Sequence, residues 1–283
     1  MQIIRHVDEL RALVRVQRRD ARRIGFVPTM GNLHAGHFSL IENARRHSDF
    51  VVASVFVNPT QFGVGEDFSR YPRTPEQDAE GLREHGCDCL FLPGVEEIYP
   101  LGPDQAVRIT VPGLGDVLEG ASRPGHFDGV ATVVARLFNL VAPDLAVFGS
   151  KDYQQLLVVR RMVRDLGFPI EIIGAPIIRE ANGLAMSSRN QYLDGSQREQ
   201  AAIIHAVLQT MCSELGGGSD PIAEIEQRAA TRLVEAGLVP DYAVFRTTTD
   251  LANPAAGQRR DLVALMAARL GSVRLIDNLE CGF

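Results

Sequence analysis

The chain has 283 residues, 45% of them hydrophobic, and a formal net charge of −6. That apolar content supports one large core or two modest ones. The acidic balance argues against a general nucleic-acid binder, while a locally basic pocket can still hold a nucleotide. No run approaches the roughly 18 apolar residues of a membrane span. The Arg-rich start lacks an uninterrupted apolar segment and reads as a solvated amphipathic helix rather than a signal or transit peptide, so a cytoplasmic location is expected.

Apolar periodicity predicts a helix over residues 7–19, a strand over 24–28, a helix over 38–47 and a strand over 50–57. A helix over 74–85 follows, then strands over 89–92 and 107–111, a helix over 129–141, a strand over 145–148, a helix over 153–166 and a strand over 170–173. Short apolar strands alternating with helices imply a parallel sheet covered on both faces. The character changes after about residue 176. Helices over 197–215 and 222–236 flank the break Gly216-Gly217-Gly218-Ser219-Asp220-Pro221, and strands over 241–246, 262–268 and 273–278 come after them. This is the pattern of a small α+β unit. The expected domains are 1–175 and 176–283, with a short linker near 173–180. Cys87, Cys89, Cys212 and Cys281 show no C-x-x-C spacing and read as buried or idle thiols in a reducing cytosol.

The run Val27-Pro28-Thr29-Met30-Gly31-Asn32-Leu33-His34-Ala35-Gly36-His37 lies where a predicted strand ends and a helix begins. Backbone N–H groups at such a helix start have no intrahelical partner, and the dipole favours negative charge there. Glycines let the backbone approach a bulky ligand, and two imidazoles can bond or protonate a phosphate. The pattern points to a nucleoside triphosphate attacked at its α-phosphorus. The same histidines could instead cap the helix. A metal site would lack its third ligand.

Four more segments could carry chemistry. Asn58-Pro59-Thr60-Gln61 ends a strand with amides that suit a small polar substrate, or is a plain Asn-Pro turn. Gly149-Ser150-Lys151-Asp152 opens a helix. It offers a cation to phosphate and a hard oxygen to Mg²⁺, with Gln155 one helical turn beyond Lys151, or it is a solvated first turn. Met186-Ser187-Ser188-Arg189-Asn190 could bind phosphate oxygens or cap a helix. Residues 118–127 are Gly/Pro-rich without apolar period and are expected to form a loop; His126 within it reads as structural.

Together these segments resemble the pantothenate synthetases, also called pantoate–β-alanine ligases. The resemblance also takes in Arg70-Tyr71-Pro72-Arg73-Thr74, Leu118 to Phe127, and Arg274-Leu275-Ile276-Asp277-Asn278. It implies a Rossmann-like, doubly wound α/β domain of the H-x-G-H nucleotidyltransferase superfamily, a small lid-like C-terminal α+β domain and a homodimer. Its substrates would be ATP, with Mg²⁺, pantoate and β-alanine. By the same resemblance, Met30, Gly31, Asn32, Leu33, His34, Ala35, Gly36 and His37 line the ATP site with Gly149, Ser150, Lys151 and Asp152. Ile178 lies on the adenine side, and Met186, Ser187, Ser188 and Arg189 hold phosphates. Gln61 and Gln155 bind the small substrate. His37, His34, Lys151 and Arg189 carry the chemistry, and Asp152 helps position Mg²⁺. Two positions depart from the family pattern: Ser150 stands where Glu is usual, and Thr60 where Met is frequent. A nucleotidyltransferase acting on a phosphorylated acceptor, or a non-catalytic ATP-binding regulator, would share part of this pattern.

Overall fold

The computed structural model describes residues 1–63, 68 and 71–282; Arg70, in one of the matched motifs, lies outside the described residues. The chain divides into two compact units, Met1–Ser150 with Gln154–Pro176, and Lys151–Tyr153 with Ile177–Phe283.

The first unit is built on a parallel sheet. Its strands are β1 (Gln2–Ile4), β2 (Ile24–Thr29), β3 (Phe50–Val55), β4 (Cys89–Phe91), β5 (Leu145–Gly149) and β6 (Glu171–Ala175), in the order β1-β4-β3-β2-β5-β6. Every neighbouring pair is parallel. Parallel strands need crossovers, and here they are helical: α1 (Val7–Arg19), α2 (Ala35–His47), α3 (Pro75–Glu84), α6 (His126–Val141) and α7 (Tyr153–Asp165). Side chains alternate across the sheet. Val27, Val51, Ala53, Leu90, Leu145 and Val147 pack with Leu40, Ile41 and Ala44 of α2 and with Ala79 and Leu82 of α3. On the other face, Phe138 of α6 meets Phe26 and Phe148 edge to face at ring-centroid distances of 6.3 and 6.4 Å. Each fully buried side chain of this kind contributes about 1.5–3 kcal/mol, so both helical layers are needed to keep the sheet dry.

The strand order reverses between β2 and β5. Strands β3 and β4 continue on one side of that point, and β6 lies on the other. The ladder across it is short: only Gly25↔Leu145 and Phe26↔Ala146 pair, whereas β2 and β3 pair over six positions. The carboxyl ends of β2 and β5 therefore run on unpaired with each other, which is where a doubly wound sheet opens a crevice.

The structure corrects several expectations. Residues 107–111 form no strand; Val107 is 79% exposed while Val111 is buried, so the segment has no apolar face to lay on the sheet. Residues 118–127 are not one loop. They hold the short helix α5 (Glu119–Ser122), and His126 and Phe127 already belong to α6, which starts after Gly125 at φ +79°. Strand β1 escapes a reading by periodicity because it is three residues long with only Ile4 buried. A separate four-residue helix, α4, spans Val95–Ile98.

The second unit carries an antiparallel sheet, β7 (Val239–Thr247), β8 (Leu262–Leu270) and β9 (Val273–Cys281), in that order. Helices α8 (Gly195–Ala201), α9 (Ile203–Gly217) and α10 (Ile222–Glu235) precede it. The single helix expected over 197–215 is thus two. Asp194 starts the first with a reciprocal cap to Gln197, and Ala202, with ψ −20°, loosens the turn between them towards 3₁₀ geometry. Ile204, Val207, Leu208, Met211 and Leu215 of α9 then face Phe245, Leu262, Ala264 and Met266 of the sheet.

The thiol expectation also needs correction. Cys212 of α9 and Cys281 at the end of β9 form a disulfide with a Cα–Cα distance of 5.1 Å. Cys87 and Cys89 remain free and buried, and burial pushes each thiol up to about 12. A thiol reagent at pH 8 is therefore expected to leave the native, unreduced protein unmodified. It should count two thiols after denaturation and four after reduction as well. Four without reduction would exclude the bridge.

His205 on α9 is held below its ordinary pKa by desolvation first and by Arg179 second, with Asp277 opposing. Its Nδ1 is buried without a hydrogen-bond partner among the described residues. A histidine with a depressed folded pKa leaves the folded state fully stable above the unfolded value, near 6.5, and weakens it as pH falls below that value. Urea midpoints should fall between pH 7 and pH 5.5, and His205→Gln should lessen that fall; an unchanged difference would remove His205 as a source.

Candidate active site

Residues 29–37 link β2 to α2 as a loop whose polar groups satisfy one another. His34 is the N-cap of α2. Its Nδ1 accepts from Gly36 N–H at 3.1 Å, and His37 Nδ1 accepts from His34 N–H at 3.3 Å, closing a reciprocal capping box. This is why α2 begins at Ala35, three residues before the start that the sequence pattern suggests. In both rings Nδ1 takes the acceptor role, which an imidazole fills when its N–H is at Nε2. The ring centroids lie 4.2 Å apart. The expectation of unpartnered backbone donors at this helix start is corrected for three of them. Gly36 N–H goes to the His34 ring, and His37 and Phe38 N–H go to the His34 carbonyl at 2.8 and 3.1 Å. The two histidines are therefore caps, their Nδ1 atoms building the turn.

The turn before them needs left-handed backbone at two residues, Gly31 at φ +88° and Asn32 at φ +53°. A Cβ at Gly31 would sit 2.9 Å from Val55 Cγ1 and 3.0 Å from Asp78 Oδ2, so only glycine fits. Asp78 of α3 accepts from Asn32 and Leu33 N–H at 3.0 and 2.8 Å.

Gln61 ends the turn Pro59–Gln61 after β3 and is buried. Its Nε2 lies 2.8 Å from Met30 Sδ, and its Oε1 accepts from Asn58 Nδ2 at 3.2 Å. Asn58 is 1% exposed and holds the turn together. Its Oδ1 accepts from Thr60 N–H and from the Tyr99 hydroxyl, and its Nδ2 also donates to Gly129 C=O at 3.1 Å. The turn reading thus fits Asn58, while Gln61 stands beside Met30. A Cβ on Gly129 would lie 2.3 Å from Thr60 O, so α6 approaches this turn through a glycine. His126 reaches the same turn: its Nδ1 lies 2.8 Å from Gln61 O, and its Nε2 lies 3.1 Å from Arg123 Nη1.

Gly149 closes β5, and Ser150–Asp152 form a 3₁₀ turn before α7. Lys151 lies in this 3₁₀ turn, which runs directly into the helix that carries Gln155. By contacts, Lys151–Tyr153 group with the second unit and Gln155 with the first. Lys151 Nζ is 3.9 Å from Asp152 Oδ1. Within the second unit, Asn278 Nδ2 donates to Lys151 C=O at 2.9 Å, and the Tyr153 hydroxyl lies 2.8 Å from Glu280 Oε1. Strand β9 thus pins the Lys-Asp segment at two points.

In the second unit, residues 178–186 fold back on themselves through Met186 N–H to Ile178 C=O and Glu180 N–H to Leu184 C=O. Ser187 caps the turn Ser188–Tyr192 by accepting from Arg189 N–H at 3.2 Å. Asn190 fixes that turn from beneath by donating to Ala185 C=O and Glu180 Oε1. Ile178, Met186, Ser187, Ser188 and Arg189 are each part-exposed. Arg179 forms a two-pronged pair with Asp277 at 2.6 and 3.0 Å, where Asp277 is 5% exposed. Removing one partner of such a buried pair costs about 3–5 kcal/mol, so this pair braces the segment rather than standing by for a ligand.

Sequence reasoning missed Asp78, Gln154, Arg179 and Glu280. Gln154, next to the expected Gln155, is 5% exposed and ties Leu114 and Val117 C=O and Glu119 N–H together. Asp78 left one readable signal: it shares the inward face of α3 with Leu82, four residues on.

Among the described residues no group of three or more His, Cys, Asp or Glu is placed to hold a metal. Asp152, 49% exposed, offers one carboxylate. That donor set fits Mg²⁺ arriving with nucleotide phosphates, which commonly needs one or two carboxylates from the protein. No helix is long and apolar enough to cross a membrane among the described residues.

Residues 2–280 match the family model described as pantoate-beta-alanine ligase. Pantothenate synthetase of Xanthomonas oryzae pv. oryzae (strain MAFF 311018) is 58% identical over 280 residues, 99% of each chain. That of Xylella fastidiosa (strain M12) is 59% identical over 275 residues, 97% of each. The crystal structure of pantothenate synthetase from Thermus thermophilus superposes with a TM-score of 0.91 at 51% identity, covering 100% of both chains. Pantoate-beta-alanine ligase from Francisella tularensis, described as complexed with beta-gamma ATP and beta-alanine, gives a TM-score of 0.83 at 33% identity over 99% of this chain and 98% of its own. A full-length match joined to a common fold is decisive, and the chain belongs to the pantoate–β-alanine ligase family.

Proposed function

We infer that this protein is an ATP-dependent ligase that joins pantoate to β-alanine through a pantoyl adenylate, releasing AMP and pyrophosphate. The observation that carries the reading is the full-length family match, with the H-x-G-H loop following β2 at the point where the strand order reverses. Family membership also speaks against the rival nucleotidyltransferase with a phosphorylated acceptor.

A carboxylate oxygen is a poor leaving group, so amide formation needs activation. The pantoate carboxylate attacks the α-phosphorus of ATP in line and pyrophosphate leaves. The transition state gathers negative charge on the phosphoryl oxygens. The Nε2–H edges of His34 and His37, with Lys151 and Arg189, are assigned to neutralise it. Because the Nδ1 capping bonds already orient both rings, that stabilisation needs little reorganisation. Met30, Gly31, Asn32, Leu33, Ala35, Gly36, Gly149 and Ser150 are assigned to line the nucleotide, with Ile178 on the adenine side and Met186, Ser187 and Ser188 on phosphates. Asp152 would help hold Mg²⁺ brought with ATP, which supplies charge neutralisation on the phosphates when bound. Gln61 and Gln155 are assigned to pantoate. In the second step the β-alanine amine attacks the adenylate carbonyl and AMP leaves. That amine reacts only when neutral, and an alkylammonium has a pKa of about 10, so the site must accept its proton.

Residues 1–175 are assigned the binding of ATP and pantoate, and 176–283 a covering role that protects the adenylate from water. A cytoplasmic homodimer is part of this reading, supported by the family resemblance.

Pyrophosphate release from ATP with pantoate alone, followed by AMP release on adding β-alanine, is the direct test; release that requires a phosphorylated acceptor would overturn the assignment. His37→Ala and Lys151→Ala should fold normally and lower adenylate formation at least ~100-fold. A variant that kept full rate would remove that residue from the chemistry. Asn278→Ala removes one hydrogen bond, about 1 kcal/mol, from the Lys151 carbonyl and should raise KM for ATP roughly 5-fold, an effect read by steady-state kinetics.

A further inference from the structure

We propose that Asp78 is a positioning residue for the adenylation step: its buried carboxylate sets the conformation of the loop that presents His34 and His37. The proposal rests on the assignment of that loop to ATP and goes beyond it by naming what holds the loop.

Asp78 lies on the inward face of α3 and is 2% exposed. A buried carboxylate is costly unless its oxygens are bonded. Here both are: Oδ2 accepts from Asn32 N–H at 3.0 Å, and Oδ1 accepts from Leu33 N–H at 2.8 Å and from the Thr74 hydroxyl at 3.2 Å. Two consecutive N–H groups can converge on one carboxylate only when the backbone turns sharply. That turn is the left-handed pair Gly31 and Asn32, at φ +88° and +53°. A non-glycine residue such as Asn32 tolerates that region at a cost, so something must hold it there. The carboxylate does so by charge-assisted bonds to the peptide groups on either side of Asn32, those of the Gly31–Asn32 and Asn32–Leu33 links.

The consequence reaches the imidazoles through one residue. Leu33 N–H is tied to Asp78, and the next N–H, that of His34, is tied to His37 Nδ1. A shift of the 32–33 peptides displaces the His34 backbone, and with it the capping bond that orients His37. Asp78 itself is bonded to peptide groups, so its influence on the reaction runs through the loop.

Asp78→Asn is the first variant. Its amide keeps one acceptor oxygen and turns an NH₂ group towards a backbone donor, so one of the two loop N–H bonds is lost. A misplacement of an ångström or less is worth ~10- to 100-fold in rate. Adenylate formation, followed as pantoate-dependent pyrophosphate release, should fall by ~10-fold or more with a raised KM for ATP. Attack of β-alanine on supplied pantoyl adenylate should change much less. A merely structural role would lower both half-reactions in proportion, through loss of active protein, and leave KM for ATP unchanged; that result overturns the proposal. Amide hydrogen exchange on the unmodified protein is a second measurement that needs no variant. Asn32 and Leu33 N–H should be protected well beyond those of an open loop, and exchange at open-loop rates overturns the proposal. His37→Ala is run alongside. Full adenylation by His37→Ala would overturn the assignment of the loop itself, whereas loss in His37→Ala with wild-type kinetics in Asp78→Asn overturns only the role of Asp78.

Discussion

The constraint on which the first unit depends is that a parallel sheet must be covered on both faces. Every strand then returns through a helix, and all carboxyl ends lie along one edge. Strands β2 and β5 are neighbours at the reversal of strand order, yet they pair at only two positions. Pairing of Phe26 with Ala146 makes Thr29 and Gly149, each three residues further on, the matching ends of the two strands. The H-x-G-H loop follows one end, and the Gly149 segment follows the other. That the two segments start side by side is therefore a product of topology before any side chain is chosen.

The loop after β2 spends most of its backbone donors inside the protein. A glycine-rich turn at a helix start ordinarily offers N–H groups to an anion. Here those of residues 31–34 and 36 are bonded inside the protein, to Thr29 Oγ1, Asp78, His37 and His34. The loop gives up a backbone cradle and gains two imidazoles of fixed tautomer and fixed orientation. For a reaction in which charge develops at phosphorus, a rigid donor set is worth more than a soft one.

The second unit applies the same principle with different parts. Strand β9 serves both faces. Leu275, Asp277 and Cys281 share one, where Leu275 and Cys281 join the apolar core and Asp277 bonds Arg179; on the other, Asn278 bonds the Lys151 carbonyl and Glu280 meets the Tyr153 hydroxyl. The Cys212–Cys281 bridge closes the end of this strand onto α9, across a sequence separation of 69 residues. One strand thus braces both the Arg179 segment and the Lys151 segment, so a change in its register would move two assigned groups together.

Much of this protein is legible from sequence. The strands β2, β3, β5 and β8, and the helices α1 and α10, are long apolar or amphipathic segments whose burial dominates every local preference. The family is legible too, because its motifs are contiguous and ordered along the chain. Elements whose stability is not local are harder to read. Strand β1 has three residues and one buried side chain, and residues 107–111 look like a strand but find no face to cover. The start of α2 is hidden because its cap is a pair of imidazoles rather than a Ser, Thr or Asp. What the sequence by itself determined is the order of the long buried elements, the change of character near residue 176 and the chemical groups each motif carries. Only the tertiary structure decided which polar atoms are already committed. Asp78 to Asn32, Asn278 to Lys151 and Cys212 to Cys281 are pairings across 46, 127 and 69 residues. A hydrogen bond or a bridge depends on distances of a few ångströms, and the chain acquires those distances only when its apolar faces are packed.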